Sequence, residues 1–314
     1  MCGRFVLARA DADLVALFGV DDVNDDLPGP SFNIAPSEAI TIVVESAAVG
    51  TPPAGAGPST IPQAADPEME GHESALKGSS TRRLEAARWG LVPGFYRTIN
   101  AGPTPFNARI EKLPSGGLYR GPFARRRAII PADGFYERSR AGARPSFYVT
   151  PGSGEVLALA GLYEWWRDPA GPARETSPDR PTGATGGTGP ARGTSTARGI
   201  SPARGISPAR EMNQVGATTP DGGTGPWLLS ATIVTHPATG AMVPIHDREP
   251  LYLAPDLWDD WLDPGAAGTP ALLATVEEAA RRVADDLVFR PVGPGWLTTT
   301  RGRKRDDAGL IAEL

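Results

Sequence analysis

The stretch Arg127-Ala-Ile-Ile-Pro-Ala-Asp-Gly-Phe-Tyr-Glu-Arg138 holds two short runs of apolar and aromatic residues separated by a turn. Such runs favour β-strands, here at 127–131 and 134–138. Similar runs predict further strands at 40–44, 86–91, 146–150, 156–164, 227–234, 250–253 and 288–291. Helical spacing is clearest at 255–262 and 272–284, with a short helix capped by Asp11. Strands joined by turns, with few helices between them, predict an α+β fold with a mainly antiparallel β core.

Two segments lack this patterning and are rich in Ala, Gly and Pro. We predict them to be disordered insertions at 46–80 and 168–225, within a single domain that spans 1–290. The second insertion contains a degenerate hexapeptide repeat at 189–212. Its one apolar residue per repeat could not bury a solenoid core, so low complexity is the better interpretation. Residues 291–314 are predicted to form a flexible C-terminal tail.

The composition limits the class of protein. The 314 residues are 40% hydrophobic, which suffices for a real core, and they include one cysteine and three histidines. A single cysteine excludes an intramolecular disulfide framework and favours a reducing, cytoplasmic setting. The N-terminal residues show no signal peptide, and no run approaches the roughly 20 apolar residues of a membrane span. We therefore expect a cytoplasmic monomer with no membrane partner.

The charge is unevenly distributed along the chain. The net charge is −5, but residues 85–150 contain eleven basic and four acidic side chains, a local charge of +7. A basic surface of this kind attracts phosphate groups, so a nucleic-acid partner is compatible with the acidic total. The alternative for any one arginine is a solvated position without function.

The only cysteine, Cys2, follows the initiator methionine. Loss of Met1 would leave an α-amine and a thiol on one residue, with reference pKa values of about 8 and about 8.5. Both groups are nucleophiles near neutral pH, and together they can convert an aldehyde into a thiazolidine ring. The alternative, favoured for this residue taken alone, is that a terminal cysteine is accidental.

Two further stretches indicate contacts to a polyanion. Phe95 and Tyr96 follow Pro93-Gly94, and an exposed aromatic pair beside basic residues can stack on unpaired bases. A buried Phe95 with a surface Tyr96 is equally compatible with the sequence. In an extended segment Asn107 and Arg109 point to one side, which suits an arginine on a phosphate and an amide on a neighbouring group. A polar edge strand is the alternative.

Two titratable residues are candidates for acid–base chemistry. Glu137 shares a strand face with Phe135 and follows Tyr136, so aromatic rings would partly desolvate it. His246 is the best placed histidine, because His72 lies in the first insertion and His236 precedes a proline. Asp247 and Glu249 are near enough in sequence to orient or charge its imidazole. A surface glutamate and a structural histidine are the alternatives.

Cofactor motifs are missing from the sequence. One cysteine and three scattered histidines lack the paired spacings of zinc or iron sites, so no metal site is expected. The chain also lacks a Walker loop and a glycine-rich dinucleotide motif. We expect no cofactor.

Six short motifs occur in an order that resembles the SRAP family, the SOS response-associated peptidases or abasic-site processing proteins. They are Met1-Cys2-Gly3-Arg4-Phe5, Phe32-Asn33-Ile34-Ala35-Pro36, Arg88-Trp89-Gly90-Leu91-Val92-Pro93, Asn107-Ala108-Arg109, Ala132-Asp133-Gly134-Phe135-Tyr136-Glu137 and Ile245-His246-Asp247-Arg248. Each motif is weak, but their shared order over residues 1 to about 265 is specific.

The resemblance implies a function for these motifs. Cys2 would capture the ring-opened aldehyde of an abasic site as a thiazolidine DNA–protein crosslink. Met1 would be removed first, either by the protein itself or by an aminopeptidase. Glu137 would act as acid and base near the amine, His246 would assist sugar ring opening, and Asn107 would hold the N-terminus. The remaining implied residues bind single-stranded DNA: Arg4, Asn33, Pro36, Arg109 and Thr235 along the strand, with Phe95 and Tyr96 stacking on a base.

The chain departs from this pattern at two places. Phe95-Tyr96 stands where members of the family often have tryptophan, and Ser115-Gly116-Gly117 stands where they have a basic residue. Both changes would weaken DNA binding unless Arg120 or the cluster Arg125–Arg127 compensates. Two other functions stay open: an N-terminal-nucleophile glutamine amidotransferase, and a non-catalytic module for single-stranded DNA.

Overall fold

The computed structural model describes residues 2–47, 80–140, 145–167, 227–297, 299–300 and 303–312. Most of both predicted insertions, residues 48–79 and 168–225, lies outside this part of the chain. The boundaries of the first insertion shift inward, since residues 46, 47 and 80 belong to strands. No helix among the described residues is long and apolar enough to cross a lipid bilayer.

The described residues form fifteen strands and four α-helices. The strands are β1 (Phe5–Leu7), β2 (Asp22–Val23), β3 (Ser31–Ile34), β4 (Ala39–Ala47), β5 (Ser80–Trp89), β6 (Asn107–Arg109), β7 (Arg127–Ala132), β8 (Gly134–Arg138), β9 (Ser146–Pro151), β10 (Leu157–Arg167), β11 (Trp227–Pro237), β12 (Arg248–Pro250), β13 (Leu287–Val292), β14 (Thr299–Thr300) and β15 (Arg303–Lys304). The helices are α1 (Asp11–Phe18), α2 (Arg120–Arg125), α3 (Trp258–Leu262) and α4 (Pro270–Ala284).

The larger sheet closes into a barrel of five strands. Its neighbours are antiparallel in the order β11-β10-β7-β4-β5, and β5 then pairs with β11 in parallel, through Ser230 opposite Arg88 and Ala231 opposite Trp89. The short strands β2, β6 and β12 extend this sheet at the edges. Closure leaves these strands few free edges and buries the apolar runs that the sequence shows.

The second sheet is antiparallel throughout, in the order β13-β9-β8-β1-β3. It packs on the barrel through aromatic residues, with the Phe5 and Trp89 ring centroids 5.0 Å apart and those of Phe135 and Tyr252 6.5 Å apart. The predicted α+β fold with a mainly antiparallel β core is confirmed. Because β1 pairs with both β3 and β8, this sheet carries the N-terminus into the middle of the molecule.

The predicted strand at 250–253 is displaced in the structure. The regular strand is Arg248–Pro250, and the residues after it form backbone bonds to two different strands, β11 and β10. Leu251 N donates to Val234 O at 2.9 Å, and Leu253 N donates to Ala158 O at 2.8 Å. This bridging position places the Tyr252 side chain fully inside the core.

Arg127 does not belong to the basic surface that the sequence predicts. Its side chain is buried and donates to five main-chain carbonyls at 2.6–3.0 Å. These are the carbonyls of Phe123, Ala124, Trp261, Asp263 and Ala266. The guanidinium therefore joins the end of α2 to α3 and the turn after it, and it is unavailable to a phosphate.

Candidate active site

Cys2 lies at the contact between the two sheets. Strand β1 pairs with β8 with Phe5 opposite Phe135, and Tyr136 N donates to Arg4 O at 2.9 Å. The Cys2 side chain is fully buried, with its Sγ 4.0 Å from Arg4 O. Burial, and then the charge of Glu137, raises the pKa of the Cys2 thiol well above its usual value. The thiol is therefore protonated at neutral pH and needs a base before it can act as a nucleophile.

Asn107 holds Cys2 through a direct contact. Strand β6 pairs in parallel with β11, with Asn107 opposite Ile233, and Asn107 Nδ2 donates to Cys2 O at 2.8 Å. The other atom of this amide, Oδ1, is buried and has no hydrogen-bond partner in the described part of the chain. Buried acceptors are rarely left unsatisfied, so Oδ1 offers a place for a donor beside Cys2.

Glu137 and His246 lie close to each other and to Cys2. Glu137, at the end of β8, is buried, and its charge acts on the pKa values of both Cys2 and His246. Burial lowers the pKa of His246, and the Glu137 carboxylate opposes that shift. Arg140 N donates to Ile245 O at 3.2 Å, which joins the segment after β8 to the turn that carries His246.

Two groups compete for Nδ1 of His246. Arg248 N lies 3.0 Å from Nδ1 and requires an acceptor there, whereas Asp247 Oδ1, 2.9 Å away, requires a protonated Nδ1. Burial favours the neutral ring, and the amide is a fixed donor, while Asp247 is exposed and already pairs with Arg140 at 2.8 Å. The arrangement favours the tautomer with its proton on Nε2.

The residues implied to bind DNA occupy different environments. Arg109 is exposed, and Pro36 is half-buried. Thr235 lies opposite Arg109 on β11 but is fully buried, as is Asn33 on β3. Arg4 donates to Asn33 Oδ1 at 3.0 Å. Of this group, Arg109 offers its charge to solvent, while Thr235 and Asn33 lie behind the surface.

Asn33 also anchors residues 303–312, which we call the C-terminal strap. Its Nδ2 donates to Arg305 O at 2.7 Å and to Trp296 O at 3.1 Å. Asp306 of the strap accepts from Phe32 N at 2.5 Å and from the Ser31 hydroxyl at 2.8 Å. The strap therefore contacts β3 along its length. Its residues belong to the segment 291–314, which the sequence predicts to be a flexible tail.

Phe95 and Tyr96 form an edge-to-face pair, with ring centroids 5.3 Å apart. Phe95 is 67% exposed, whereas Tyr96 packs against a small cluster that includes Trp166 and Leu228. Its main-chain carbonyl accepts from Trp166 Nε1 at 2.8 Å. Tyr96 thus supports the turn, and Phe95 presents its ring to solvent.

Arg248 is a supporting residue that the sequence did not single out, although it lies in the His246 motif. Its guanidinium forms two bonds with the Glu111 carboxylate, at 2.5 and 3.1 Å, and a third with Thr235 O at 2.6 Å. Hydrogen bonding to Arg248 lowers the pKa of Glu111. The only sequence signal was the proximity of Arg248 to His246.

No group of three His, Cys, Asp or Glu side chains within the described ranges could hold a metal ion.

Comparison with known proteins finds one matching family model and several similar proteins. A family model described as SOS response associated peptidase (SRAP) matches residues 1–179 and 211–294. The abasic site processing protein YoqW of Bacillus subtilis is 30% identical over 174 residues, which cover 54% of this chain and 63% of that relative. YoaM, an abasic site processing protein of the same bacterium, is 26% identical over 270 residues, 84% of this chain and 80% of the relative.

A crystal structure of a protein from Bacteroides thetaiotaomicron matches the fold with a TM-score of 0.60 at 14% identity, and it covers 100% of both chains. At this identity the likeness is one of fold. The YoqW match spans less than two thirds of that relative, and the family model covers most of this chain, including every motif that builds the site.

Proposed function

This chain belongs to the SRAP family, and we propose that it processes abasic sites in DNA by capturing them covalently at Cys2. The observation that carries the proposal is the bond from Asn107 Nδ2 to Cys2 O at 2.8 Å, beside the buried Glu137 and His246. The relatives YoqW and YoaM are named abasic site processing proteins, which supports the same substrate class here.

The proposed reaction begins with hydrolysis of the Met1–Cys2 peptide bond, which frees the amine of Cys2. That amine adds to the C1′ aldehyde of a ring-opened abasic sugar, and loss of water gives an imine. The thiol then adds to the imine carbon, and its proton ends on the ring nitrogen. One water is released for each thiazolidine formed from aldehyde, amine and thiol.

The surrounding residues suit these proton transfers. Asn107 Oδ1, which has no partner within the described residues, would accept a hydrogen bond from the new amine. Because burial raises the pKa of the Cys2 thiol, Glu137 would serve as the base that receives its proton. Neutral His246, with its proton on Nε2, would donate to the sugar oxygen as the ring opens.

The exposed side chains suit a single strand of DNA. Arg109 at the end of β6 can bind a phosphate, and the Phe95 ring can stack on an unpaired base. Tyr96 packs against the cluster that includes Leu228, and Arg109 lies opposite Thr235; these two residues of β11 are about 23 Å apart along the strand at about 3.3 Å per residue. Asn107, which holds Cys2, lies opposite Ile233, between these two residues of β11.

One incubation tests the proposal. Protein shown by mass spectrometry to begin at Cys2 is mixed with single-stranded DNA carrying one abasic site, and with the same DNA carrying a normal base. We expect a heat-resistant band on a denaturing gel with the abasic strand alone. Absence of that band would contradict the proposal, and glutamine hydrolysis by the same sample would favour the amidotransferase alternative.

Glu137→Gln and His246→Ala are each expected to slow crosslinking by about 10²-fold, because each removes one proton-transfer group. Noncovalent affinity for the abasic strand should change less than twofold. Single-turnover crosslinking rates and fluorescence anisotropy give the two quantities. Glu155→Gln, at an exposed turn, is the matched control. Equal losses of rate and affinity would assign the two residues to structure instead.

Phe95→Ala is expected to weaken noncovalent binding of single-stranded DNA about tenfold, since stacking on one base contributes about 1–3 kcal/mol. The crosslinking rate at saturating DNA should be unchanged, because the proposed proton transfers use Glu137 and His246 and not this ring. Tyr96→Phe, which loses only the hydroxyl bond to Pro103 O, is the control. Unchanged affinity of Phe95→Ala would rule out stacking at this position.

A further inference from the structure

Glu249 is a buried carboxylate that the proposed chemistry does not use. It lies in β12 with 1% of its surface exposed. Its Oε1 accepts from the main-chain N and from the hydroxyl of Thr239, each at 2.7 Å, and its Oε2 accepts from the Tyr252 hydroxyl at 3.4 Å. Burial of a carboxylate is costly unless such donors replace water, so these bonds define its place.

Cationic groups contribute little to holding this carboxylate. His236 Nε2 lies 3.6 Å from Glu249 Oε1, but burial lowers the pKa of His236 to about 4, so its ring is neutral at pH 7. Burial raises the pKa of Glu249, and the Thr239 and Tyr252 bonds oppose that shift. Arg248 directs its guanidinium to Glu111 and Thr235 O. The two bonds to Thr239 are therefore the main restraint on Glu249.

Those bonds close the loop that carries His246. This loop, residues 239–246, begins at Thr239 with a short helical turn, Gly240–Met242, and His246 N donates to Met242 O at 3.0 Å. Outside the loop, Ala238 N donates to Asp247 O at 3.1 Å. Glu249 thus ties the first residue of the loop to the strand that follows its last residue.

We infer that Glu249 is a positioning residue, which fixes the imidazole of His246 for the reaction by holding Thr239. The inference rests on the proposed function, because His246 has a defined task only in that reaction. The bonds restrain the first residue of a loop whose tip residue, Val243, is 59% exposed. A loop free to move would lower the fraction of molecules with His246 in the reactive geometry.

Glu249→Gln keeps the size of the side chain but removes its charge and leaves one neutral acceptor oxygen for three donors, the main-chain N and the hydroxyl of Thr239 and the hydroxyl of Tyr252. We expect the crosslinking rate to fall about tenfold, with noncovalent affinity for the abasic strand within twofold of wild type. Thr239→Val, which removes the hydroxyl at constant shape, should lower the rate about threefold, and Thr239→Ser should restore it. Thermal unfolding midpoints recorded for all variants identify any general loss of fold.

A double variant separates positioning from structure. If Glu249 acts through His246, Glu249→Gln should cause no further loss of rate in the His246→Ala background. Multiplying losses, or affinity and thermal midpoint falling in parallel with the rate, would overturn the inference. If either of those results is obtained while the wild-type protein still gives a band in the same gel, the inference fails and the proposed function holds. No wild-type band would overturn both.

Discussion

Cys2→Ala is expected to abolish heat-stable capture of abasic DNA, with a loss of at least about 10³-fold in crosslinking rate. Without the thiol, the terminal amine can still form an imine, but that adduct hydrolyses when the sample is heated. The substitution removes one sulfur from a buried site, so the fold should persist. Denaturing gels measure the crosslink, and anisotropy on an abasic strand should show affinity close to that of wild type.

Cys2→Ser is the matched control for this experiment. It keeps the amine and the shape of the side chain, but its hydroxyl is a weaker nucleophile than a thiol. We expect no heat-stable band, and a band that appears when borohydride reduces the imine to an amine. A heat-stable band from Cys2→Ala would show that another nucleophile captures the aldehyde, and no borohydride-trapped band from Cys2→Ser would argue against the amine.

Arg127→Met is expected to destabilise the protein by about 3–5 kcal/mol, the largest effect on stability that we anticipate from one exchange. Methionine fills much of the volume but donates no hydrogen bond, so five buried or partly buried carbonyls lose their partner. The midpoint of urea unfolding, followed by tryptophan fluorescence, measures the loss.

Arg125→Met is the control for charge, because Arg125 is exposed two residues earlier and its exchange should cost less than about 0.5 kcal/mol. Arg127→Lys keeps the charge with three donors in place of five, and its stability should fall between the two. A change below about 1 kcal/mol for Arg127→Met would show that water satisfies the freed carbonyls.

The fold class followed from the sequence because its signals are local. Alternating and continuous apolar runs mark strands whatever their partners are, and the helices predicted at 255–262 and 272–284 begin within two residues of the helical segments observed. The barrel closure depends on Ser230 and Ala231 pairing with Arg88 and Trp89, far away in sequence. Local patterns carry no information about that pairing, and the displaced strand near Tyr252 has the same cause.

The sequence predicted which residues form the candidate site, but not the contacts and burial of each one. Cys2, Asn107, Glu137 and His246 could be proposed from motifs, and the contact of Asn107 with Cys2 required the β6–β11 pairing. Arg127 looked like its neighbours Arg125 and Arg126, because nothing in a basic run tells which guanidinium is buried. The role of Glu249 depends on Thr239, and only the folded loop brings these two residues together.

The chain leaves the barrel and returns to it at two places, after β4 and after β10. Ala47 pairs with Ser80, and Arg167 pairs with Trp227, so the chain departs from and returns to directly opposed positions. Those pairs fix the register of the flanking strands, so both ends of each intervening segment are held at one place whatever the number of residues between them. Since β5 and β11 run in parallel, both junctions lie at the end of the barrel remote from Thr235 and Arg109. A change in the length of either segment would therefore leave the pairing of β6 with β11, and with it the Asn107 contact to Cys2, unchanged.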